Sequence, residues 1–139
     1  MKKNANKGFS LVELIIVIAI MAVLIGVLAP QFIKHVENSR QSTDMDNVQA
    51  IKTAIEAAAA DEDITSAQIS VSGGNITYGC TFKSGVTSLD GVAASTKLKS
   101  SGWSSATYVY NFTSYTWGSP ASCPNTKGNK GNDMANIFK

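Results

Sequence analysis

Residues 9–33 read FSLVELIIVIAIMAVLIGVLAPQFI, and this stretch decides how the rest of the chain is organised. It contains a single charged group, Glu13, whereas the whole chain carries 12 Lys+Arg and 10 Asp+Glu. An apolar run of about 20 to 25 residues, rising 1.5 Å per residue, can cross a hydrocarbon core of about 30 Å. The stretch is therefore predicted to be a transmembrane helix.

The residues that precede the apolar run are basic. They read MKKNANKG and include Lys2, Lys3 and Lys7 but no acidic residue. Because such lysines favour the cytoplasmic side of a membrane, we expect a cytoplasmic N-terminus and a precursor in the inner, cytoplasmic membrane. Three interpretations compete: a cleaved signal peptide, a plain membrane anchor, and a helix preceded by a processing site between Gly8 and Phe9.

The composition argues against several classes of function. The formal net charge is +2 and no basic stripe stands out, so nucleic acid is not a predicted partner. One histidine and two cysteines supply few residues for a metal site or for a nucleophile and base. We therefore predict no enzyme activity, no catalytic residue, no metal and no cofactor. His35 follows Lys34 just outside the apolar run and is expected to have a structural role or to be solvated.

The junction between the basic and apolar segments carries a family resemblance. Residues 7–14, KGFSLVEL, resemble the leader junction of type IV prepilins and the related pseudopilins. In that family a membrane peptidase cuts after the glycine, and the new N-terminal phenylalanine is methylated. The resemblance thus implies cleavage between Gly8 and Phe9, N-methylation of Phe9, and removal of residues 1–8 as a leader peptide.

Glu13 is a candidate functional residue on physical grounds as well. An ionised carboxylate inside a bilayer costs about 2.5 to 3.5 kcal/mol or more unless it is paired. Cleavage would turn the amide nitrogen of Phe9 into a charged amine near this acid, at the positive end of a helix. The resemblance implies that the partner amine often belongs to a neighbouring subunit, so Glu13 and Phe9 are predicted assembly residues. The alternative is that Glu13 reaches the headgroups from the edge of the span.

Pro30 marks a weak point in the predicted helix. It has no N–H to donate, and its ring crowds the carbonyl of Gly26. The pair predicts either a helix kink at Gly26 and Pro30 or the end of the membrane helix, and the sequence leaves both open.

After Ile33 the pattern becomes amphipathic. Apolar residues at spacings of three and four predict one buried stripe, which consists of Met45, Val48, Ile51, Ile55 and Ala58. The other face is marked by Asp46, Gln49, Thr53 and Glu56. We expect one helix over residues 9–61, of which residues 9–33 form the transmembrane or filament-core part and residues 34–61 the amphipathic part.

Residues 62–139 are predicted to form a small C-terminal globular domain with antiparallel strands. Alternating patterns predict strands at 76–82, after a turn at Gly73 and Gly74, at 108–112 and, more weakly, at 68–72. Residues 89–99 are predicted to hold a short helix, and residues from 119 onward a loop. The predicted fold class is α+β, with a long N-terminal helix packed against a small antiparallel sheet, which is the pilin fold that the resemblance implies.

Two side-chain groups of this domain carry further predictions. Cys80 and Cys123 are both expected outside the cytoplasm, where a disulfide between them would staple a small core. A disulfide around a C-terminal loop is frequent in the pilin family, and two free thiols are the alternative. The aromatic residues are interpreted as a core strand face rather than a glycan-binding platform: Trp103, Tyr108, Tyr110, Tyr115 and Trp117.

The chain is predicted to be a structural subunit, the major pilin of a bacterial type IV pilus. The processed subunit would be assembled into an extracellular filament. Its partners would be other copies of itself, a prepilin peptidase and methyltransferase, and, indirectly, a membrane platform protein and an assembly ATPase. The chain has no phosphate-binding GxxxxGK[ST] loop of its own. A minor pilin or type II secretion pseudopilin is one alternative. A monomeric membrane-anchored adhesin is another.

Overall fold

A computed structural model describes residues 8–83, 85, 87–118, 122–127 and 132–139. In chain order the elements are helix α1 (Leu11–Ala60), strands β1 (Ile64–Ser72), β2 (Asn75–Phe82), β3 (Ser95–Lys97), β4 (Ala106–Asn111) and β5 (Thr116–Trp117), and a 3-10 helix (Met134–Phe138). The chain divides into two compact units, one up to Lys34 and one from His35 to the C-terminus. One apolar helix and a small antiparallel sheet confirm the predicted α+β class.

In the first unit the helix is uncovered. Its most apolar window has a mean hydropathy of 3.1 with none of its residues buried, and the helix is long and apolar enough to cross a membrane. Pro30 lies inside α1 rather than at its end, so the helix does not stop there. A kink at Gly26 and Pro30 stays a prediction.

In the second unit the helix buries one stripe against the sheet. The buried positions are spaced by three or four residues and are Gln41, Asp44, Val48, Ile51, Ile55 and Ala59. Val48, Ile51 and Ile55 match the predicted stripe, whereas Met45 and Ala58 lie at its half-buried margin. The stripe begins with two polar side chains that the apolar pattern could not identify.

The sheet has the order β3-β2-β1-β4-β5, with antiparallel neighbours. Strands β1 and β2 form a hairpin whose two-residue loop, Gly73 and Gly74, has φ values of 58° and 80°. Two successive positive φ values favour glycine, and they match the right-handed twist of a hairpin. The predicted strands in 76–82 and 108–112 are present, and the weaker one is the longer β1.

The inner face of the sheet carries much of the core. Ile69 on the central strand β1 opposes Tyr78 on one side and Tyr108 on the other. The Tyr108 ring stacks on Phe138 of the 3-10 helix with centroids 4.1 Å apart. The C-terminal 3-10 helix therefore packs on the core rather than extending a loop.

Two local predictions are wrong. Residues 89–99 contain no helix but a turn and the edge strand β3, in which Thr96 pairs with Ile76. A segment of this length is only marginally stable as an isolated helix, and pairing with β2 supplies the backbone hydrogen bonds of a strand instead. The C-terminal segment is not all loop, because Asp133 caps the 3-10 helix by accepting a hydrogen bond from the Ala135 N–H. Residues 119–121 and 128–131 lie outside the described residues.

Candidate functional site

The N-terminus of α1 is closed by a reciprocal pair of hydrogen bonds. The Ser10 N–H donates to Glu13 Oε2 at 3.0 Å, and the Val12 N–H donates to Ser10 Oγ at 3.3 Å. A serine at the N-cap and a glutamate three residues later satisfy donors that the first helical turn leaves free. The Ser-x-x-Glu spacing that signals this cap is visible in the sequence, but the prediction for Glu13 rested on its charge, which suggested either a partner amine or contact with the headgroups.

Gly8 and Phe9 lie before the helix begins. Both are exposed, and Phe9 has 89% of its surface accessible. A Cβ atom added at Gly8 would meet no atom within 4 Å. The bond between Gly8 and Phe9 is therefore open to an enzyme, and packing within this chain does not require a glycine at that position.

The carboxylate of Glu13 is folded back toward the predicted cleavage site. Its partner, the Ser10 N–H, belongs to the peptide bond that follows Phe9. In the uncleaved chain the donor that Glu13 binds here is thus a neutral backbone N–H and not a cation. A new amine on Phe9 would be one residue away from the donor that the carboxylate already binds.

The side chains of the following turns form a continuous apolar surface. The large apolar residues from Leu11 to Ile33 are 45% to 75% exposed. Soluble monomers rarely leave so large an apolar area uncovered. The surface therefore requires lipid or another apolar chain around it.

Comparison with known proteins matches this segment. A family profile described as the prokaryotic N-terminal methylation motif matches residues 3–29. The chain is 35% identical over 79 residues to prepilin peptidase-dependent protein A of Clostridium perfringens, a span of 54% of this chain and 56% of that protein. The N-terminal segment of the chain therefore carries the N-terminal methylation motif and is similar to that of type IV pilins.

Two further pilin relatives align only with part of the chain. The identity is 45% over 49 residues with the type IV major pilin protein PilA of Myxococcus xanthus, which covers 35% of this chain and 22% of that protein. It is 40% over 55 residues with fimbrial protein Q of Moraxella bovis, covering 40% and 35%. The chain thus spans from about a fifth to just over half of these relatives, and no solved structure matches it significantly. These names are those of pilins and fimbrial proteins, in agreement with the prediction that the chain is not an enzyme.

The predicted disulfide is absent from the structure, in which Cys80 and Cys123 are free thiols. Cys80 pairs with Ala67 on β1, whereas the Cys123 thiol donates to the carbonyl of Ser104 at 2.7 Å.

The free thiols give a testable prediction. Burial raises the pKa of both Cys80 and Cys123 from 9.0 to about 11. At pH 8 the reactive thiolate fraction therefore falls about a hundredfold. We expect slow alkylation by iodoacetamide in the native chain, faster alkylation as the pH rises toward 11, and complete alkylation of both cysteines after denaturation without reductant. A chain two mass units lighter that resists alkylation until it is reduced would contradict the assignment.

A buried polar cluster holds the start of the second unit together. Asp44 is fully buried, and its carboxylate accepts from the Lys99 N–H at 2.7 Å, the Ser100 N–H at 2.8 Å and Trp103 Nε1 at 2.9 Å. We call these four residues the Asp44 cluster. One helix turn earlier, Gln41 accepts from Asn132 Nδ2 at 2.8 Å. The α1 helix is thus fastened to two distant loop segments by hydrogen bonds.

The aromatic residues divide into buried and exposed members. Tyr108 and Tyr110 are buried, and the half-buried Trp117 donates its indole N–H to Glu56 at 2.8 Å. Trp103 donates to Asp44 in the same way. The core interpretation holds for these four but not for Tyr115, which is 66% exposed. His35 is exposed as well, and no group of three or more His, Cys, Asp or Glu among the described residues could hold a metal ion.

Proposed function

We propose that this chain is the major structural subunit of a bacterial type IV pilus. The observation that carries the proposal is the uncovered apolar helix surface of residues 11–33 headed by a single carboxylate at Glu13. A helix that lies in lipid before assembly leaves it without loss only where equally apolar surfaces replace the lipid. Neighbouring copies of the same helix supply such surfaces.

Leader cleavage would complete the assembly site. It removes Lys2, Lys3 and Lys7 with residues 1–8, which changes the formal net charge from +2 to −1. It also creates an amine on Phe9, which would be N-methylated. We propose that this amine, from the same or a neighbouring subunit, replaces the Ser10 N–H as the main partner of Glu13. Exchange of a neutral donor for a cation stabilises a carboxylate in an apolar core.

The proposal assigns partners and a route. The N-terminus lies in the cytoplasm, and the precursor stays in the inner membrane until a prepilin peptidase and methyltransferase process it. Other copies of the chain then form a helical homopolymer outside the cell. A membrane platform protein and an assembly ATPase act indirectly on that step.

The test is the intact mass and N-terminal sequence of the protein in sheared surface fractions. We expect a chain that starts at N-methylated Phe9. The Gly8→Val variant is the matched comparison, because the space around Gly8 accommodates a side chain and the fold should be unchanged. That variant should keep its leader and remain in the membrane. A wild-type chain that starts at Met1, or at Pro30 in the medium, would contradict the proposal.

A minor pilin or type II secretion pseudopilin is the second candidate. It is favoured by the relative with the longest alignment above, whose name is prepilin peptidase-dependent protein A and not major pilin. Quantitative mass spectrometry of sheared filaments distinguishes the two, because a major subunit dominates the fraction and a minor subunit is a trace component.

A further inference from the structure

A groove lies between the end of α1 and the β4–β5 turn. The β1–β4 ladder runs from Val71 opposite Ala106 to Gln68 opposite Val109, and the groove opens past the latter pair. It has a volume of about 230 Å³ and is lined by Glu62, Thr65, Lys83, Phe112 and Tyr115, among others. All of these lining residues belong to the second unit.

Two residues at this groove occupy backbone conformations that favour glycine. Glu62 has a φ of 58° and Tyr115 a φ of 53°, and they are the two non-glycine residues with positive φ in the part of the chain that the structure describes. Glu62 follows the helix, where the Asp63 N–H donates to the Ala58 carbonyl and a glycine is the usual residue. Tyr115 occupies the last loop position of the β4–β5 hairpin. At both positions the chain carries a large side chain where glycine would be less strained.

The Tyr115 ring is presented by a turn with little freedom. Asn111 Oδ1 accepts from the Thr113 N–H at 2.8 Å and from the Ser114 N–H at 3.2 Å. The hydroxyls of Ser114 and Thr116 lie 2.7 Å apart and form a further hydrogen bond. These hydrogen bonds order the turn that carries Tyr115, and its ring is 66% exposed and available for contact with a ligand.

The rim of the groove carries one cationic hydrogen-bond donor and one anionic acceptor. Lys83 Nζ and Glu62 Oε2 lie 3.4 Å apart, and the two side chains are 48% and 80% exposed. Their charges cancel, so the groove does not select an ion. A ligand that fits this chemistry is neutral, has one apolar face for the Tyr115 ring, and carries hydroxyls at its edge for Lys83 and Glu62.

We propose that this groove binds a neutral sugar ring, with Tyr115 as the stacking platform and Glu62 and Lys83 as hydroxyl partners. A pyranose has an apolar C–H face and a rim of hydroxyls, and it meets all three requirements. Because the groove is shallow and exposed, the dissociation constant is expected to be about 1 to 10 mM for a monosaccharide. The site does not depend on cleavage or assembly, so its test is independent of the pilin proposal.

The test is saturation-transfer NMR on the full chain in phosphocholine micelles, because detergents with sugar headgroups would compete. The probes are methyl β-D-glucopyranoside, methyl β-D-galactopyranoside and methyl α-D-mannopyranoside. We expect transfer to the ring protons of at least one of them. Tyr115→Phe should retain the signal, whereas Tyr115→Gly should lose it about tenfold or more because the stacking surface is gone.

The glycine variant separates binding from folding. Because Tyr115 lies in a region that favours glycine, Tyr115→Gly is expected to leave the melting temperature unchanged or to raise it. Tyr115→Asn, which also tolerates this conformation, repeats the test if the glycine variant is less stable. Val109→Ala, an exposed change outside the groove, should bind as the wild type does. Absence of transfer from all three sugars, or binding retained by the variants that lack the ring, would overturn the proposal.

Discussion

Glu13→Val is expected to abolish recovery of the protein in sheared filaments, while cleavage after Gly8 continues. In the proposed filament the change would leave the Phe9 amine without a carboxylate in an apolar core. An unpaired charge there costs about 3 kcal/mol, or about a hundredfold in the equilibrium for adding each subunit. Immunoblots of sheared and membrane fractions measure the distribution, and N-terminal sequencing of the membrane form checks the cleavage.

Two companion variants separate the charge of Glu13 from its capping role. Glu13→Gln keeps a side-chain oxygen that can accept from the Ser10 N–H, but it removes the charge, and we expect it to fail in assembly as well. Ser10→Ala removes the hydroxyl that accepts from Val12 yet leaves the carboxylate, and we expect it to assemble. Normal filaments from Glu13→Gln would mean that the residue acts only as a helix cap. The proposed pairing with the amine would then be wrong. A monomeric membrane-anchored adhesin predicts instead that Glu13→Val leaves the surface display and the oligomeric state unchanged.

Asp44→Ala is expected to reduce the free energy of unfolding of the second unit by about 3 to 4 kcal/mol. The variant would leave three donors without their buried acceptor: the Lys99 N–H, the Ser100 N–H and the Trp103 indole N–H. Urea unfolding of the full chain in micelles, followed by tryptophan fluorescence, measures the change, because Trp103 and Trp117 both lie in this unit.

The controls for Asp44 follow from its neighbours. Asp46 lies on the same helix but is exposed, so Asp46→Ala should change the free energy of unfolding by less than about 0.5 kcal/mol. Trp103→Phe removes one of the three hydrogen bonds and leaves the two backbone donors on the carboxylate, so its effect should be smaller than that of Asp44→Ala. Equal stability of the Asp44→Ala and Asp46→Ala variants would show that the Asp44 cluster does not hold the loops on the helix.

Local patterns in the sequence were sufficient for the features that depend on near neighbours. The apolar run of residues 9–33 predicts an uncovered helix because its composition alone makes exposure to water unfavourable and a membrane or filament core the suitable surrounding. Alternation in 76–82 and 108–112 predicts strands because side chains of a strand point alternately to its two faces. The junction around Gly8, Phe9 and Glu13 predicts the family from a short, ordered motif, which the N-terminal methylation profile matches.

Features that depend on a distant partner required the tertiary structure. Asp44 belongs to the buried stripe only because loop donors 55 to 59 positions away satisfy it, and an apolar pattern has no means to show such partners. Strand β3 forms because it pairs with the edge of β2, although its own sequence gives only a weak signal for a strand. Cys80 and Cys123 suit a disulfide in sequence, but in the fold Cys80 pairs with Ala67 on β1, whereas the Cys123 thiol donates to the carbonyl of Ser104. Hydrophobic periodicity is a property of the chain itself, whereas hydrogen-bond partners, thiol separation and the exposure of Tyr115 are properties of packing between segments far apart in sequence.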